Sequence, residues 1–401
     1  MSKKILAAVL YADFAPRPGY SITEEEKRTH KVREGNKVWK NPKLVLEEKS
    51  IPKPKGKEVL IRVKAVGICG SDLHMVETDK DGYMIYPGLT RMPVVLGHEF
   101  SGVVEEVGPG VKSVKPGDMV TSEEMLWCGE CDACRMGFVN HCIKLNDPAD
   151  LEYGELGFTR DGAMAEYVIV HEKYLWKINA LVDRYGSEEK AFEAGSLVEP
   201  TSVAYHAMFN RAEGFKPGGF VVVWGAGPIG LASIALAKAA GAGKVIAFEI
   251  SPVRIDLAKK MGADYVFNPL ELEKKGIKPW EKILEVTDGE GADMHVEAAG
   301  APEYTLPQMQ KSLAIGGKIA WIGRAPQEVP IYLEIFQVRR AQIYGSQGHS
   351  GWGTFRNVIR LMAAGAIDMT KIITSRFKLE ETLKAFERGH KRIDGKITIK
   401  P

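Results

Sequence analysis

The chain has 401 residues, 45% apolar and 26% charged, with 42 glycines, a composition that excludes a disordered or coiled-coil protein and favours two domains with separate apolar cores. A net charge of only +2 gives no electrostatic case for nucleic acid or a membrane surface as partner. No apolar run reaches the roughly 18–20 residues needed to span a bilayer. Five cysteines, four of them within fifteen residues, suit a metal site in the reducing cytoplasm better than a disulfide framework.

Residues 5–10, after Lys3 and Lys4, are too short an apolar run for a signal peptide and read as a first β-strand. Residues 19–43 are rich in Lys, Arg and Glu without a helical stripe, and read as a solvated surface insertion, with subunit contact or substrate gating as the alternative role. Residues 58–68 (EVLIRVKAVGI) alternate as a half-buried strand does and lead into G-I-C-G-S-D-L-H, which carries Cys69. The stretch 78–92, with Tyr83 and Tyr86, is expected to border a pocket. It precedes G-H-E at Gly97–Glu99 and a further strand at 102–107. Singly, Cys69 reads as a buried small hydrophobe and His98 as a structural histidine. Together, one thiolate (Cys69), one imidazole (His98) and one carboxylate (Glu99) can hold zinc and leave a position open for a substrate oxygen, as Lewis-acid chemistry requires.

Cys128, Cys131, Cys134 and Cys142 form C-x2-C-x2-C-x7-C. Two-residue spacers let neighbouring thiolates converge on one ion, and the longer return supplies a fourth corner, so a closed, structural zinc site is expected. An iron–sulfur cluster also uses four thiolates. His141, beside Cys142, is a conceivable ligand, but four cysteines already fill the shell.

From about Thr201 strands and helices alternate: strand 220–224, helix 228–240, strand 244–249, helix 252–260, strand 263–267, helix 279–287, strand 292–297, helix 303–313 and strand 317–322. Such alternation specifies a doubly wound parallel sheet. Its first turn is G-A-G-P-I-G, so Gly225, Gly227, Pro228, Ile229 and Gly230 are expected to receive a dinucleotide pyrophosphate at the helix start. Glu249, nineteen residues beyond Gly230, can accept hydrogen bonds from ribose hydroxyls and repel a 2′-phosphate, which favours NAD over NADP. Arg254 is the counter-argument, since an arginine there can accommodate that phosphate; otherwise it reads as a surface residue or one packed on adenine. After Gly345 the rhythm breaks, and a helix near 380–389 and a strand at 396–399 are expected to rejoin the first domain.

The spacing G-H-E-x2-G-x5-G-x2-V, met by Gly97, His98, Glu99, Gly102, Gly108 and Val111, resembles the zinc-containing medium-chain dehydrogenases from about residue 58 to the end. The resemblance implies an α/β protein with a GroES-like β-rich catalytic domain (1–200 and 346–401) and a Rossmann cofactor domain (201–345). It implies two zincs, with Cys69 and His98 as catalytic ligands, Glu99 direct or one water away, and a further ligand position at Glu199 in L-V-E-P-T-S-V. Glu199 in place of cysteine is similar to the polyol and threonine dehydrogenase branch. The resemblance also gives Ser71 and His74 the proton relay, Glu99 a place in the catalytic set, and a homodimer or homotetramer. Sorbitol dehydrogenases carry an Arg-Tyr pair where this chain reads G-S-Q-G-H-S-G-W (345–352), so Gln347 and His349 are candidate hydroxyl binders or structural loop residues. The implied activity is hydride transfer from a polyol or cyclitol to NAD, with a similarity to dehydrogenases that oxidise an inosose. Threonine, sorbitol, an aldose or a simple alcohol remain alternative substrates, and a non-catalytic zinc protein is the alternative class.

Overall fold

The computed structural model describes residues 4–325 and 327–401, organised around two large sheets. The first has seven strands with Glu58–Gly67 at its centre, antiparallel to Glu99–Val107, to Tyr167–His171 and, at its far end, to the C-terminal strand Lys396–Lys400. The alternation at 58–67 sets this arrangement. Val59, Ile61, Val63 and Val66 are buried against Phe100, Val104, Ile397 and Ile399, while Arg62 is turned out. The last strand thus closes the sheet that an early strand begins.

The second sheet is wholly parallel, in the order Tyr265–Phe267, Lys244–Phe248, Phe220–Trp224, Ala292–Glu297, Leu313–Trp321, Gln342–Gly345. The run FVVVW is apolar throughout because both of its faces are covered. Val221 and Val223 meet Leu231 and Ile234 of the helix Pro228–Ala239, whereas Val222 and Trp224 meet Ile283, Leu306 and Met309 on the other side. The strand order reverses between Phe220–Trp224 and Ala292–Glu297, and that reversal opens a crevice beyond their carboxyl ends. Two helices absent from the sequence reading, Glu188–Ser196 and Val198–Tyr205, stand between the sheets. The first is built largely from Ala, Gly, Ser and Glu and the second mixes Val and Tyr with Glu, Pro, Thr and Ser, so no apolar stripe announced them.

The segment 19–43 is not a solvated insertion. It carries the helix Glu24–Thr29, and Lys31–Val32 pairs with Thr90–Arg91. Glu26 is fully buried, its carboxylate accepting from the backbone N–H of Thr23 (2.9 Å) and Arg33 (3.0 Å). Lys31 is also buried, donating from Nζ to the carbonyls of Asp150 (2.7 Å) and Tyr153 (3.0 Å), and burial brings its pKa down to about 8. Trp39 fills the core and donates from Nε1 to Thr90 Oγ1 at 3.0 Å. The charged composition misled because these charges are satisfied locally, while the apolar anchors Val32, Val38 and Trp39 follow no helical period. The segment braces 82–91: Gly35 N–H donates to Gly88, Met84 N–H to Trp39, and Asn41 N–H to Gly82.

No helix among the described residues is long and apolar enough to cross a membrane. If 19–43 is core, Trp39→Ala lowers unfolding free energy by about 3–5 kcal/mol in denaturant titration. A change within about 0.5 kcal/mol, as at an exposed site, would return the segment to the surface.

Candidate active site

Strand register assembles the first cluster. Gly67 pairs with Glu99 and Val66 with Phe100, so Cys69, two residues past the strand end, lies beside His98 and Glu99. One ligand atom from each of the three lies within 4.8 Å of the others. On the opposite edge Gly67 pairs with Thr398, which delivers Lys396 to the same place. Lys396 is buried and its Nζ meets the Glu99 carboxylate; Gly67 has no space for a Cβ, which would come within 2.7 Å of Lys396 Cε and strike Glu99. Burial opposes the Lys396 charge, but Glu99 and Cys69 hold its pKa above the ordinary value. Asp72 accepts the Cys69 N–H at 2.8 Å and sets its other oxygen 3.7 Å from His98 Nδ1. At that distance the two form an ion pair short of a hydrogen bond, with a carboxylate behind the imidazole and its second nitrogen left for Cys69 and an ion. Burial works against a charged His98, yet Asp72 and Cys69 outweigh it.

In the four-cysteine lobe all four Sγ lie within 4.8 Å of one another, and two of their separations match a tetrahedral site. Sγ of Cys128 and Cys134 are 3.9 Å apart, as are those of Cys131 and Cys142, close to the about 3.8 Å edge of a tetrahedron with about 2.3 Å zinc–sulfur bonds. The N–H groups of Glu130 and Cys131 point at Cys128 Sγ (3.3 Å each) and that of Ile143 at Cys131 Sγ (3.4 Å). For Cys131, burial is outweighed by such N–H donors and the pKa falls to about 6, while burial raises Cys134 and Cys142. Four thiolates so crowded can all ionise only around a cation. His141 is exposed, outside this group.

Glu199 joins a third cluster, with Glu124 and His349. His349, 1% exposed, sets Nε2 3.2 Å from Glu124 Oε2 and 3.0 Å from Glu199 Oε1. Burial opposes the imidazolium, but the two carboxylates raise its pKa to about 10. Asn140 fixes the loop, accepting the N–H of His349 (3.1 Å) and Ser350 (2.8 Å). His349 is therefore occupied by two carboxylates, and Gln347 is exposed. Glu199 still lies within electrostatic reach of His98 and Lys396, so it borders both clusters.

The crevice at the parallel sheet encloses about 610 Å³, lined by Trp224, Gly225, Glu249, Arg254, Thr305 and Arg392 among others. Gly225 has φ +82°, and a Cβ there would meet Ala299 at 2.9 Å; Gly227 caps the helix that starts with Pro228, Ile229 and Gly230. Glu249 accepts the N–H of Ala226 (2.7 Å), Ile250 (2.8 Å) and Ser251 (2.9 Å), so it also holds the glycine turn. Arg254 donates from Nε to the Asp394 carbonyl at 3.0 Å, and Arg392 pairs with Glu77 at 3.0 Å. Ser71 and His74 follow Cys69 on the helix Gly70–Val76, half-buried, with Arg392 beside Gly70. Burial and Arg392 lower the His74 pKa. A larger cavity, about 760 Å³, lies on the β-rich lobe against Lys49, Pro52, Arg160 and His171 and touches none of the candidate ligands.

Sequence reasoning missed Asp72, Glu124, Glu155, Phe158 and Lys396. Asp72 sat inside the Cys69 motif and was legible there as a carboxylate three residues on; the others lie in stretches without a motif. Phe158 stacks on His98 (4.9 Å between centroids) and on Tyr86 (5.1 Å), so the 78–92 stretch does reach the cluster.

Residues 55–180 match the alcohol dehydrogenase GroES-like domain and residues 228–364 the zinc-binding dehydrogenase family. The scyllo-inosose 3-dehydrogenase of Thermotoga maritima is 47% identical over 395 residues, 95% of this chain and 96% of that protein. The L-threonine 3-dehydrogenase of Pyrococcus horikoshii is 35% identical over 356 residues, 88% and 94% of the two chains. A solved Thermotoga maritima structure, designated an alcohol dehydrogenase, superposes with TM-score 0.92 at 45% identity, covering 99% of this chain and 100% of that one.

Replacing His349 by Leu leaves two buried carboxylates without their cation and costs about 3–5 kcal/mol. Because its folded pKa of about 10 lies above the free value of about 6.5, that contribution is complete below pH 6.5 and disappears as pH rises through 10. Unfolding of wild type and His349→Leu at pH 6 and pH 10 checks this: the gap narrows at pH 10, and a gap constant with pH would contradict an imidazolium there.

Proposed function

The chain belongs to the zinc-binding medium-chain dehydrogenase family, as an oxidoreductase, and we propose that it oxidises a secondary alcohol of a cyclic polyol, an inosose above others, with NAD. The observation that carries the substrate reading is the 47% identity over nearly the whole chain with a scyllo-inosose 3-dehydrogenase. Threonine is the second reading, favoured by the relative at 35% identity. Residues 1–200 and 346–401 are assigned to the catalytic domain and 201–345 to the cofactor domain.

Two zincs per chain are assigned, one to Cys128, Cys131, Cys134 and Cys142, the other to Cys69, His98 and Glu99 with Glu199 at its edge. A zinc at the second site supplies Lewis-acid polarisation of the substrate hydroxyl. The protein's part is positioning: Asp72 orients His98, and Lys396 neutralises and orients Glu99. His74, neutral near pH 7 because its pKa is lowered, accepts the proton released from the hydroxyl, through Ser71, and passes it to solvent. The cofactor's pyrophosphate is assigned to the helix start at Gly225, Gly227, Pro228, Ile229 and Gly230. Glu249 supports NAD, since a carboxylate at the end of the second strand of the parallel sheet would accept from ribose hydroxyls and repel a 2′-phosphate, while Arg254 and Arg392 already hold protein oxygens.

The exposed edge strand Gln342–Gly345, with Ile343, Leu333 and Val338 open nearby, supports a homo-oligomer. The five unpaired cysteines suit the cytoplasm.

Two measurements test this reading. Metal analysis should give two zincs in the wild type and one in Cys69→Ala, with oxidation in the variant reduced by at least about 1000-fold; full activity there would contradict the assignment. A screen for NADH formation across cyclitols, inososes, linear polyols and threonine, repeated with NADP, should give highest kcat/KM for an inosose with NAD. Preference for threonine would transfer the chain to the second reading.

A further inference from the structure

Most buried carboxylates among the described residues meet a protein donor or a cation. Among the described residues Glu26, Asp118, Glu123, Glu172, Glu193, Glu249, Glu297 and Asp394 each accept protein hydrogen bonds, Glu99 meets Lys396, and Glu124 and Glu199 share His349. Asp72 accepts the Cys69 N–H. Glu155 differs in that neither of its carboxyl oxygens takes a donor from the described residues: it is 7% exposed and its oxygens are not fully sealed, whereas Asp72 Oδ1 and Glu99 Oε2 are sealed without a hydrogen bond on residues whose carboxylates have another partner. Lys31, the cation within reach, gives its protons to the carbonyls of Asp150 and Tyr153 instead. A carboxyl that is nine-tenths buried, takes no donor from the described residues and still reaches open space is placed to meet a ligand.

The position of Glu155 indicates which ligand. Gly154–Glu155 pairs with Met125–Leu126, and Leu156 N–H donates to the Glu124 carbonyl at 3.1 Å, so the pairing brings Glu155 next to Glu124, the residue just before the partner strand. The Glu155 carbonyl accepts the N–H of Phe158, Thr159 and Arg160, forming the turn whose Phe158 ring lies on His98 and Tyr86. One turn thus presents an aromatic face beside the ligand His98 and a free carboxyl within electrostatic reach of His98, Glu124 and His349.

We infer that Glu155, with Glu124 beside it, is the specificity wall of the substrate site, binding hydroxyl or keto oxygens on ring carbons next to the carbon that is oxidised, while Phe158 and Tyr86 cover the ring's apolar face. This rests on the polyol reading above. Burial and Glu124 raise the Glu155 pKa to about 8, so at neutral pH it can donate as well as accept, which suits a ligand with both hydroxyl and carbonyl oxygens. The segment 19–43 has a place in the same device, because Lys31 pins 150–153 immediately before Glu155 and Thr90–Arg91 beyond Tyr86. A site built to hydrogen-bond a substrate hydroxyl discriminates strongly against an analogue that lacks it.

The test compares wild type, Glu155→Gln and Glu155→Leu on scyllo-inosose and on cyclohexanol, a ring without neighbouring hydroxyls, with NAD. The inosose-to-cyclohexanol ratio of kcat/KM should fall at least about 100-fold in Glu155→Leu, mainly through KM for the inosose, and about 3- to 10-fold in Glu155→Gln. In thermal melts, inosose added with NAD should stabilise wild type and not Glu155→Leu, whose ligand-free melt and zinc content verify folding. If Glu155→Leu does not fold, Glu155→Gln decides alone: the ratio must fall measurably. An unchanged ratio in the variants, with wild type active on inosose, overturns the wall and leaves the polyol reading intact. Wild type that oxidises threonine or cyclohexanol and no cyclic polyol overturns the reading and this inference together.

Discussion

Gly67 stands opposite Glu99 on one side and opposite Thr398 on the other. That single register brings together Cys69 from the strand's continuation, His98 and Glu99 from its neighbour, and Lys396 from a strand more than three hundred residues later in the chain. A one-residue slip would turn every inward side chain outward, so the apolar alternation at 58–67 fixes the candidate metal site as firmly as it fixes the core. Gly67 is itself part of the constraint, since Glu99 and Lys396 occupy the space a side chain would need.

Around that register the protein distributes buried charge in a graded way. Glu99 has Lys396, and Glu124 and Glu199 have His349, while Glu155 has no donor among the described residues. Glu199 lies within electrostatic reach of His98 as well as beside His349, so it connects the Cys69, His98 and Glu99 cluster to the cluster of Glu124 and His349. An acidic interior of this kind is costly unless cations and ligands complete it. The four-cysteine lobe obeys the same logic in a closed form: burial and crowding raise Cys134 and Cys142, and an ion is what allows four thiolates to share one space.

Legibility in the sequence followed how local each constraint was. The four-cysteine lobe was readable because all its donors lie within fifteen residues, and the glycine turn because strand, turn and helix are contiguous. The parallel sheet was readable from apolar strands buried on both faces. Cys69 with His98 and Glu99 needed the family spacing, since what joins them is strand pairing. Lys396 and the contact of His349 with Glu124 and Glu199 were beyond reach, because nothing local records a neighbour hundreds of residues away. The reading failed outright at 19–43, where charged residues surround the buried Glu26, Lys31 and Trp39 and no period reveals which side faces in.

The central claim, that an open metal site at the end of this register carries the oxidation, is tested most directly by anomalous diffraction at the zinc absorption edge from crystals of the purified chain. Two peaks per chain are expected, one inside the four-cysteine lobe and one among Cys69, His98 and Glu99. A peak in the four-cysteine lobe alone, or a second peak centred between Glu124, Glu199 and His349, would contradict it.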